Sequence, residues 1–216
     1  MIKIKKRRKD YKKILICSDF HYGHNKDFLY VPRGFDTPED HNQWIQSQID
    51  GIDPDALLVM LGDVGLSIGA VAIQDFMLRF PCETLMVNGN HNSGVMQLYQ
   101  QHLPKGFEKC QLYPLRITPN ITLLGYEFLL DIDQDHFYCR HMAPLIWPDC
   151  NKGRSCLTGH SHGNLIAANP GENGIGKVLD CGVENTIKYN GTAFFTLNEV
   201  IKIMSNKEDS KVDHHG

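Results

Sequence analysis

Ala56-Leu57-Leu58-Val59-Met60-Leu61-Gly62-Asp63 is the stretch on which the fold turns. Six consecutive apolar residues read as a strand buried on both faces, the habit of a parallel strand inside a layered α/β protein. The run is far too short to span a bilayer, and it stops at a glycine and an acid. Two neighbours end in the same manner. Ile14 to Cys17 runs into Ser18-Asp19, and Thr84 to Val87 runs into Asn88-Gly89-Asn90-His91. Helical patterns lie between them. Thr37-Pro38-Glu39-Asp40 offers a capping Thr, a Pro at the first helical position and acids in the first turn. The helix it opens is expected to bury Trp44, Ile45 and Ile49. Ile73, Phe76, Met77 and Phe80 repeat at i, i+3, i+4 and i+7, and Pro81 closes that helix. A third helix is expected over Val95 to Leu103.

Beyond that helix the pattern turns to short strands: Ile121 to Leu124, Tyr126 to Leu130, Phe137 to Cys139, Cys156 to Thr158 and Val178 to Cys181. Thr196 with Glu199 makes a capping box that opens a last helix through Met204. The chain thus reads β-α-β-α-β-α and then mostly β, without repeat, low-complexity block or linker. An α/β fold follows, with two sheets packed face to face and helices outside. Three parts are expected: a basic N-terminal arm over 1–13, the folded domain over 14–204, and a polar tail over 205–216. His214 and His215 read as terminal residues and not as metal ligands.

The composition agrees. With 216 residues, 42% hydrophobic and 22% charged, the chain fits one domain with a sizeable core and excludes wholesale disorder. The lysine-rich start is not followed by a signal-type apolar stretch, so neither export nor a membrane is indicated and the cytoplasm is expected. Seven cysteines contain no C-x-x-C pair, which argues against a zinc ribbon or a thioredoxin-type motif. Cys17, Cys82, Cys139, Cys156 and Cys181 lie in or beside apolar runs, and Cys110 and Cys150 in more polar surroundings. Buried thiols in a reducing compartment explain them better than a disulfide framework. Net charge is −3, but residues 1–13 carry eight Lys or Arg against one Asp, a local +7 that leaves −10 on the rest. Such an arm either is a solvated tail or holds a nucleic acid.

The chemistry sits at the strand ends. Asp19 and His21, then Asp63, then Asn90 and His91 follow three strands, and ligands in open α/β sheets gather at the carboxyl ends of strands. The second half adds His141, just after Phe137 to Cys139, and Gly159-His160-Ser161-His162-Gly163. In an extended segment His160 and His162 point to one face. Each signal alone is weak, since a strand-end Asp is usually a turn residue. Their ordered combination is not weak: D-x-H-x-G-H, G-D, G-N-H, a single H and G-H-x-H all fall at or near strand ends. Asp, Asn and His donors without thiolate suit Mn, Fe or Zn better than an oxygen-only Mg or Ca cage.

In Ser18-Asp19-Phe20-His21-Tyr22-Gly23-His24, Leu61-Gly62-Asp63, Gly89-Asn90-His91, His141 and Gly159-His160-Ser161-His162 the chain resembles the calcineurin-like metallophosphoesterases, in particular the small bacterial and phage-type members. The stretch Leu179-Asp180-Cys181-Gly182-Val183-Glu184 resembles the strand that follows the last motif in those members. The resemblance implies a two-sheet α/β/β/α sandwich of the metallophosphoesterase type holding two divalent ions, Mn first, with Fe, Zn and Ni as alternatives. By motif, one ion takes Asp19, His21 and His162, the other takes Asn90, His141 and His160, and Asp63 bridges them through its two oxygens. His91 is implied as the acid that protonates the leaving oxygen. Two adjacent cations lower the pKa of a bridging water and clamp a phosphate for in-line displacement.

Some assignments stay open at this stage. His136 competes with His141 for the middle ligand, and Met142-Ala143-Pro144-Leu145 favours His141 because it resembles the family segment there. His24 is either a substrate contact or a structural histidine at the mouth of the site. Arg33 either clamps a phosphate or is a solvated loop arginine. Asn92 stands where many relatives carry an acid, which leaves the orienting partner of His91 unassigned. The Asp-Arg and Glu that accompany these motifs in protein Ser/Thr phosphatases are missing, which argues against a protein substrate. With only 49 residues between His91 and His141 there is no room for a large lid. The expectation is hydrolysis of phosphate esters, diesters before monoesters. The alternatives are a phosphomonoesterase acting on nucleotides or other small esters, a nuclease using the basic arm, and, last, a scaffold without chemistry. Oligomeric state is left undetermined.

Overall fold

A computed structural model of the chain describes residues 1–106, 112–165 and 176–209. In chain order its elements are β1 (Ile2–Lys6), β2 (Ile14–Cys17), α1 (Asp27–Tyr30), α2 (Pro38–Asp50), β3 (Leu57–Met60), α3 (Ala70–Met77), β4 (Glu83–Met86) and α4 (Ser93–His102). There follow β5 (Leu115–Arg116), β6 (Ile121–Leu123), β7 (Glu127–Ile132), β8 (Asp135–Arg140), β9 (Ser155–Thr158), β10 (Val178–Asp180), α5 (Val183–Asn190), β11 (Phe195–Thr196) and α6 (Leu197–Ser205). They build two mixed sheets, ordered β11-β2-β3-β4-β6-β5 and β1-β7-β8-β9-β10.

The registers place the motifs. β2, β3 and β4 run parallel, with Cys17 beside Met60 and Met60 beside Met86. Asp19, Asp63 and Asn90 therefore leave one edge of the six-stranded sheet side by side. In the other sheet β8 and β9 are parallel, with Cys139 beside Leu157, so His141 and His160 leave a common edge too. The N–H of Gly159 donates to the carbonyl of His141 at 2.8 Å, tying those two ends together.

Alternation along the strands sorts the core. Ile16, Val59, Leu61, Leu85 and Val87 face Phe128, Leu130, Phe137, Cys139 and Leu157 between the sheets, and Leu197, Val200 and Met204 of α6 join the same cluster. Leu15, Cys17, Leu58, Met60 and Met86 point the other way, into a cluster with α2, α3 and α4. Thr37 caps α2 by accepting from the Asp40 N–H at 3.1 Å. On α2, Ile45 and Ile49 are buried as expected, but Trp44 is half-buried and His41 takes the third buried position. The described cysteines are free and buried, including Cys150, whose polar neighbours in sequence gave no sign of this. Cys110 lies outside the described residues.

Two further expectations change. Residues 1–13 are not a free arm or a solvated tail: Ile2–Lys6 is an edge strand, parallel to β7 with Ile2 beside Phe128 and Lys6 beside Ile132. Its cause is the alternation Ile2-Lys3-Ile4-Lys5, which turns both isoleucines toward the intersheet core. The second concerns layering. The outer face of the five-stranded sheet is covered by Trp147, Cys150 and the loop around them, packed on Tyr138, Cys156 and Val178. Among the described residues no α-helix contributes to that cluster, and a loop with the short 3-10 turn Cys150–Lys152 stands where a helix was expected. The tail also begins later than Ser205, since Lys207 Nζ donates to the Val178 carbonyl and Lys177 pairs with Asp209 at 2.7 Å. His214 and His215 lie outside the described residues. No described helix is long and apolar enough to cross a membrane.

Candidate metal centre

The edge where the two sheets meet gathers the residues singled out by sequence. Asp19, His21 and His162 present ligand atoms within 4.8 Å of one another, and so do Asp19, Asp63 and His141. His21 Nε2 lies 3.3 Å from His162 Nε2, 3.8 Å from Asp19 Oδ1 and 3.7 Å from Asp63 Oδ2. His141 Nε2 lies 3.2 Å from Asp63 Oδ2 and 2.8 Å from Asn90 Oδ1, and His160 Nδ1 reaches that Asn90 oxygen at 2.9 Å. All seven expected ligands are thus brought together.

Several of these contacts join acceptor to acceptor. A backbone carbonyl can only accept, so the 2.8 Å contact of His141 Nδ1 with the Leu61 oxygen places a proton on Nδ1. In neutral His141, Nε2 is then a lone pair, directed at a carboxylate oxygen and an amide oxygen. His162 repeats the logic, because its Nδ1 donates to Glu184 Oε1 at 2.8 Å and its Nε2 lone pair faces His21. Asp19 Oδ1 and Asp63 Oδ2 are buried with no hydrogen-bond donor. Lone pairs converging in a buried space repel one another unless a proton or a cation lies among them.

Burial sets the electrostatics. It pushes the Asp19 carboxyl up to about 7 and the His21 imidazole down to about 2. Burial would also raise Asp63, but the adjacent His141 imidazole, together with His21 and the His91 N–H, holds it below the ordinary carboxylate range.

The backbone is shaped for this convergence. Asp19, His21, Asp63, His160 and His162 all adopt left-handed conformations, with φ of 59°, 48°, 51°, 70° and 48°. Each costs about 1–3 kcal/mol for a residue with a Cβ and persists only where its surroundings enforce it. The enforcing contacts are visible: the His160 N–H donates to Asp19 Oδ2 and the His91 N–H to Asp63 Oδ1, each at 2.8 Å. Two glycines permit the approach. A Cβ at Gly89 would lie 2.0 Å from Asp63 Oδ1, and one at Gly159 would lie 1.9 Å from Ser18 Oγ. Asp63 therefore has one oxygen engaged by the backbone and offers only Oδ2 to both halves of the cluster, where a bridge through its two oxygens was expected.

The remaining candidates divide. His136 binds Asp131 at 2.9 Å in the outer charge network of the five-stranded sheet and does not compete with His141. His91 is exposed, with its ring edge-on to His21 at 5.7 Å between centroids. No described carboxylate hydrogen-bonds that ring. Asn92 is buried and accepts the Val64 N–H at 3.0 Å, so it shapes the turn and does not orient His91. His24 is buried near His21 with both ring nitrogens unpartnered. Arg33 departs from both readings made of it. It is 4% exposed, and its donors are engaged by the carbonyls of Asp19 and Phe20, by His41 Nε2 and by Glu184 Oε1. No N–H remains for a phosphate. Glu184 belongs to the stretch Leu179–Glu184 quoted for the resemblance, but the sequence reading gave it no role. It is an acid in the first turn of α5, placed directly after the strand end at Asp180-Cys181-Gly182, and that placement is the signal available for it.

No family model matches the chain, and no curated protein matches it either. Among solved structures it is similar to AQ665, a protein of unknown function from Aquifex aeolicus, with a TM-score of 0.59 over 88% of this chain and 98% of that one. At 13% identity the likeness is one of fold alone.

Proposed function

We propose that the chain is a dinuclear metal-dependent phosphoesterase of the calcineurin-like type, acting on phosphodiesters in preference to monoesters. The observation that carries the reading is that the donor-free buried oxygens Asp19 Oδ1 and Asp63 Oδ2 converge with the Nε2 lone pair of His141 and with Asn90 Oδ1 where the seven residues meet. Asp, Asn and His donors of this kind fit Mn, Fe, Zn or Ni. Asp19, His21 and His162 would hold one ion, Asn90, His141 and His160 the other, and Asp63 Oδ2 would serve both. Two such ions, when bound, supply an activated water and neutralise charge on the phosphoryl group.

The chain's own residues do the rest. Leu61 and Glu184 fix the tautomers of His141 and His162, so their Nε2 atoms stay available. His91, held by its backbone on Asp63 and exposed at the side chain, is placed to give a proton to a departing ester oxygen. His24 keeps both ring nitrogens buried beside His21, which fits the structural histidine better than the substrate contact. The engagement of Arg33 leaves no guanidinium for a dianionic terminal phosphate, which supports a monoanionic diester.

The nuclease variant of this reading loses its support. Lys6 and Lys12 pair with Glu83 and Asp53, which precede or begin β4 and β3, at the sheet edge opposite the metal ligands. The test is hydrolysis of bis(4-nitrophenyl) phosphate and 4-nitrophenyl phosphate with Mn and with chelator. Turnover is expected to need the metal and to favour the diester. His91→Ala is expected to lower turnover by about 10²–10⁴ while retaining two ions per chain. A chain that binds no divalent ion sinks the proposal, and a tenfold preference for the monoester reverses the substrate class.

A further inference from the structure

We propose that Glu184, locked in place by Arg33, is the positioning residue that aims His162 and sets the Asp19 turn, an inference that rests on the metal-centre reading above. His162 stands at the tip of a turn with two left-handed residues, His160 and His162, and its side chain is a third exposed. The hydrogen bond that orients its ring runs from Nδ1–H to Glu184 Oε1 at 2.8 Å. That bond turns the Nε2 lone pair toward His21 and Asp19.

The carboxylate is itself held. Arg33 Nε and Nη2 meet Glu184 Oε1 at 2.8 and 2.7 Å. Nη2 also donates to the Asp19 carbonyl at 2.7 Å, and Nη1 to the Phe20 carbonyl at 3.1 Å and His41 Nε2 at 2.8 Å. One planar guanidinium thus ties the backbone of left-handed Asp19 to the acid that aims His162. Three segments remote in sequence meet there: the turn after β2, the connection between α1 and α2, and the first turn of α5. A buried ion pair is a poor device for stability alone, since apolar side chains of similar volume serve as well or better. Its geometry explains its presence: the carboxylate, histidine and cation order of oriented metal sites, extended through arginine to a second ligand.

Two substitutions in the full chain separate position from folding. Glu184→Asp keeps the charge that Arg33 requires but withdraws the oxygen by one methylene; Glu184→Gln keeps the reach and removes the charge. Mn and Zn binding is read by calorimetry, unfolding is read in chelator, and the His162 ring is read by its ¹⁵N shifts without metal. Expected in wild type is an Nδ1–H tautomer. In Glu184→Asp, a fold with near-normal melting is expected, together with a mixed tautomer and about 10–100-fold weaker binding of one ion. Wild-type affinity for both ions in Glu184→Asp overturns the inference, as does a wild-type His162 whose proton sits on Nε2. Should Glu184→Gln fail to fold, the Asp variant still decides. If the wild-type chain binds no metal, the metal-centre reading falls, and the tautomer alone then decides the positioning role.

Discussion

At the scale of single residues, the site is built from buried oxygens without donors and from imidazoles whose Nδ1 protons are held elsewhere. Asp19 and Asp63 each give one oxygen to a backbone N–H and leave the other buried and unpaired. A folded chain without cations therefore carries unfavourable contacts that a cation relieves. Divalent ions are expected to raise the melting temperature, with a gain of about 2.7 kcal/mol at a hundredfold excess over the dissociation constant. In Asp19→Asn the costly buried charge is gone, so at pH 8 its melting temperature in chelator should equal or exceed that of wild type, while the gain from Mn disappears. An undiminished Mn-induced shift in that variant would remove Asp19 from the site. Gly89→Ala acts on the neighbouring carboxylate by steric means, because the added carbon would sit 2.0 Å from Asp63 Oδ1. It should lower metal affinity at least tenfold, and calorimetry that finds unchanged affinity would show that Asp63 is free to shift. These ligands were legible in the sequence because each lies one to four residues past an apolar strand, where direction follows from the strand end. Arg33 and Glu184 were not legible in their roles. Neither sits in a periodic pattern, and the bonds between them span 151 residues.

Elements were read well where local chemistry fixes them and poorly where charge masked the pattern. Thr37 and Thr196 announce α2 and α6, and both caps form; Thr196 accepts from the Glu199 N–H while Glu199 accepts from the Thr196 N–H. Thr196→Ala is expected to cost about 1 kcal/mol, a fall of roughly 2–4 °C in melting temperature for a chain of this size. A loss below half a degree in a thermal scan would mean that packing of Leu197, Val200 and Met204 holds α6 without the box. β1 is the opposite case. Its alternation of isoleucine and lysine is a strand pattern, but eight cations in thirteen residues draw the reading toward a solvated arm. Pairing dissolves the apparent excess: Lys3 meets Asp131, Lys6 meets Glu83, Arg7 meets Asp10, Arg8 meets Asp135 and Lys12 meets Asp53. Removing residues 1–6 should therefore lower stability and depress turnover of every ester alike. Selective loss of polynucleotide turnover, with the melting curve unchanged, would restore the binding arm.

For the whole molecule, the two sheet edges divide the labour. One edge carries the strained, unpaired ligands, and the outer charge network lies on the five-stranded sheet, where the N-terminal strand is fastened. Asp131 on β7 is the hub of that network. It pairs with Lys3 of β1 at 2.7 Å, His136 of β8 at 2.9 Å and Arg154 at 3.1 Å. Burial alone would raise its pKa, but the hydrogen bonds from Lys3, His136 and Arg154 more than reverse this and hold it well below the ordinary value. The sign of the linkage follows. A carboxyl whose folded pKa is depressed contributes stability that is complete above its unfolded pKa of about 3.9 and is lost as pH falls toward the folded value. Urea unfolding in chelator between pH 2 and pH 7 should therefore show wild-type stability dropping steeply below pH 4. Asp131→Asn should start lower at pH 7, because it leaves buried Arg154 short of a partner, and should fall less steeply in acid. The two curves should draw together as pH falls toward 2, since protonation does to the wild type what the substitution does outright. Parallel curves across that range would mean that Lys3 and Arg154 find other anions, and that the N-terminal strand is held by Ile2 and Ile4 alone.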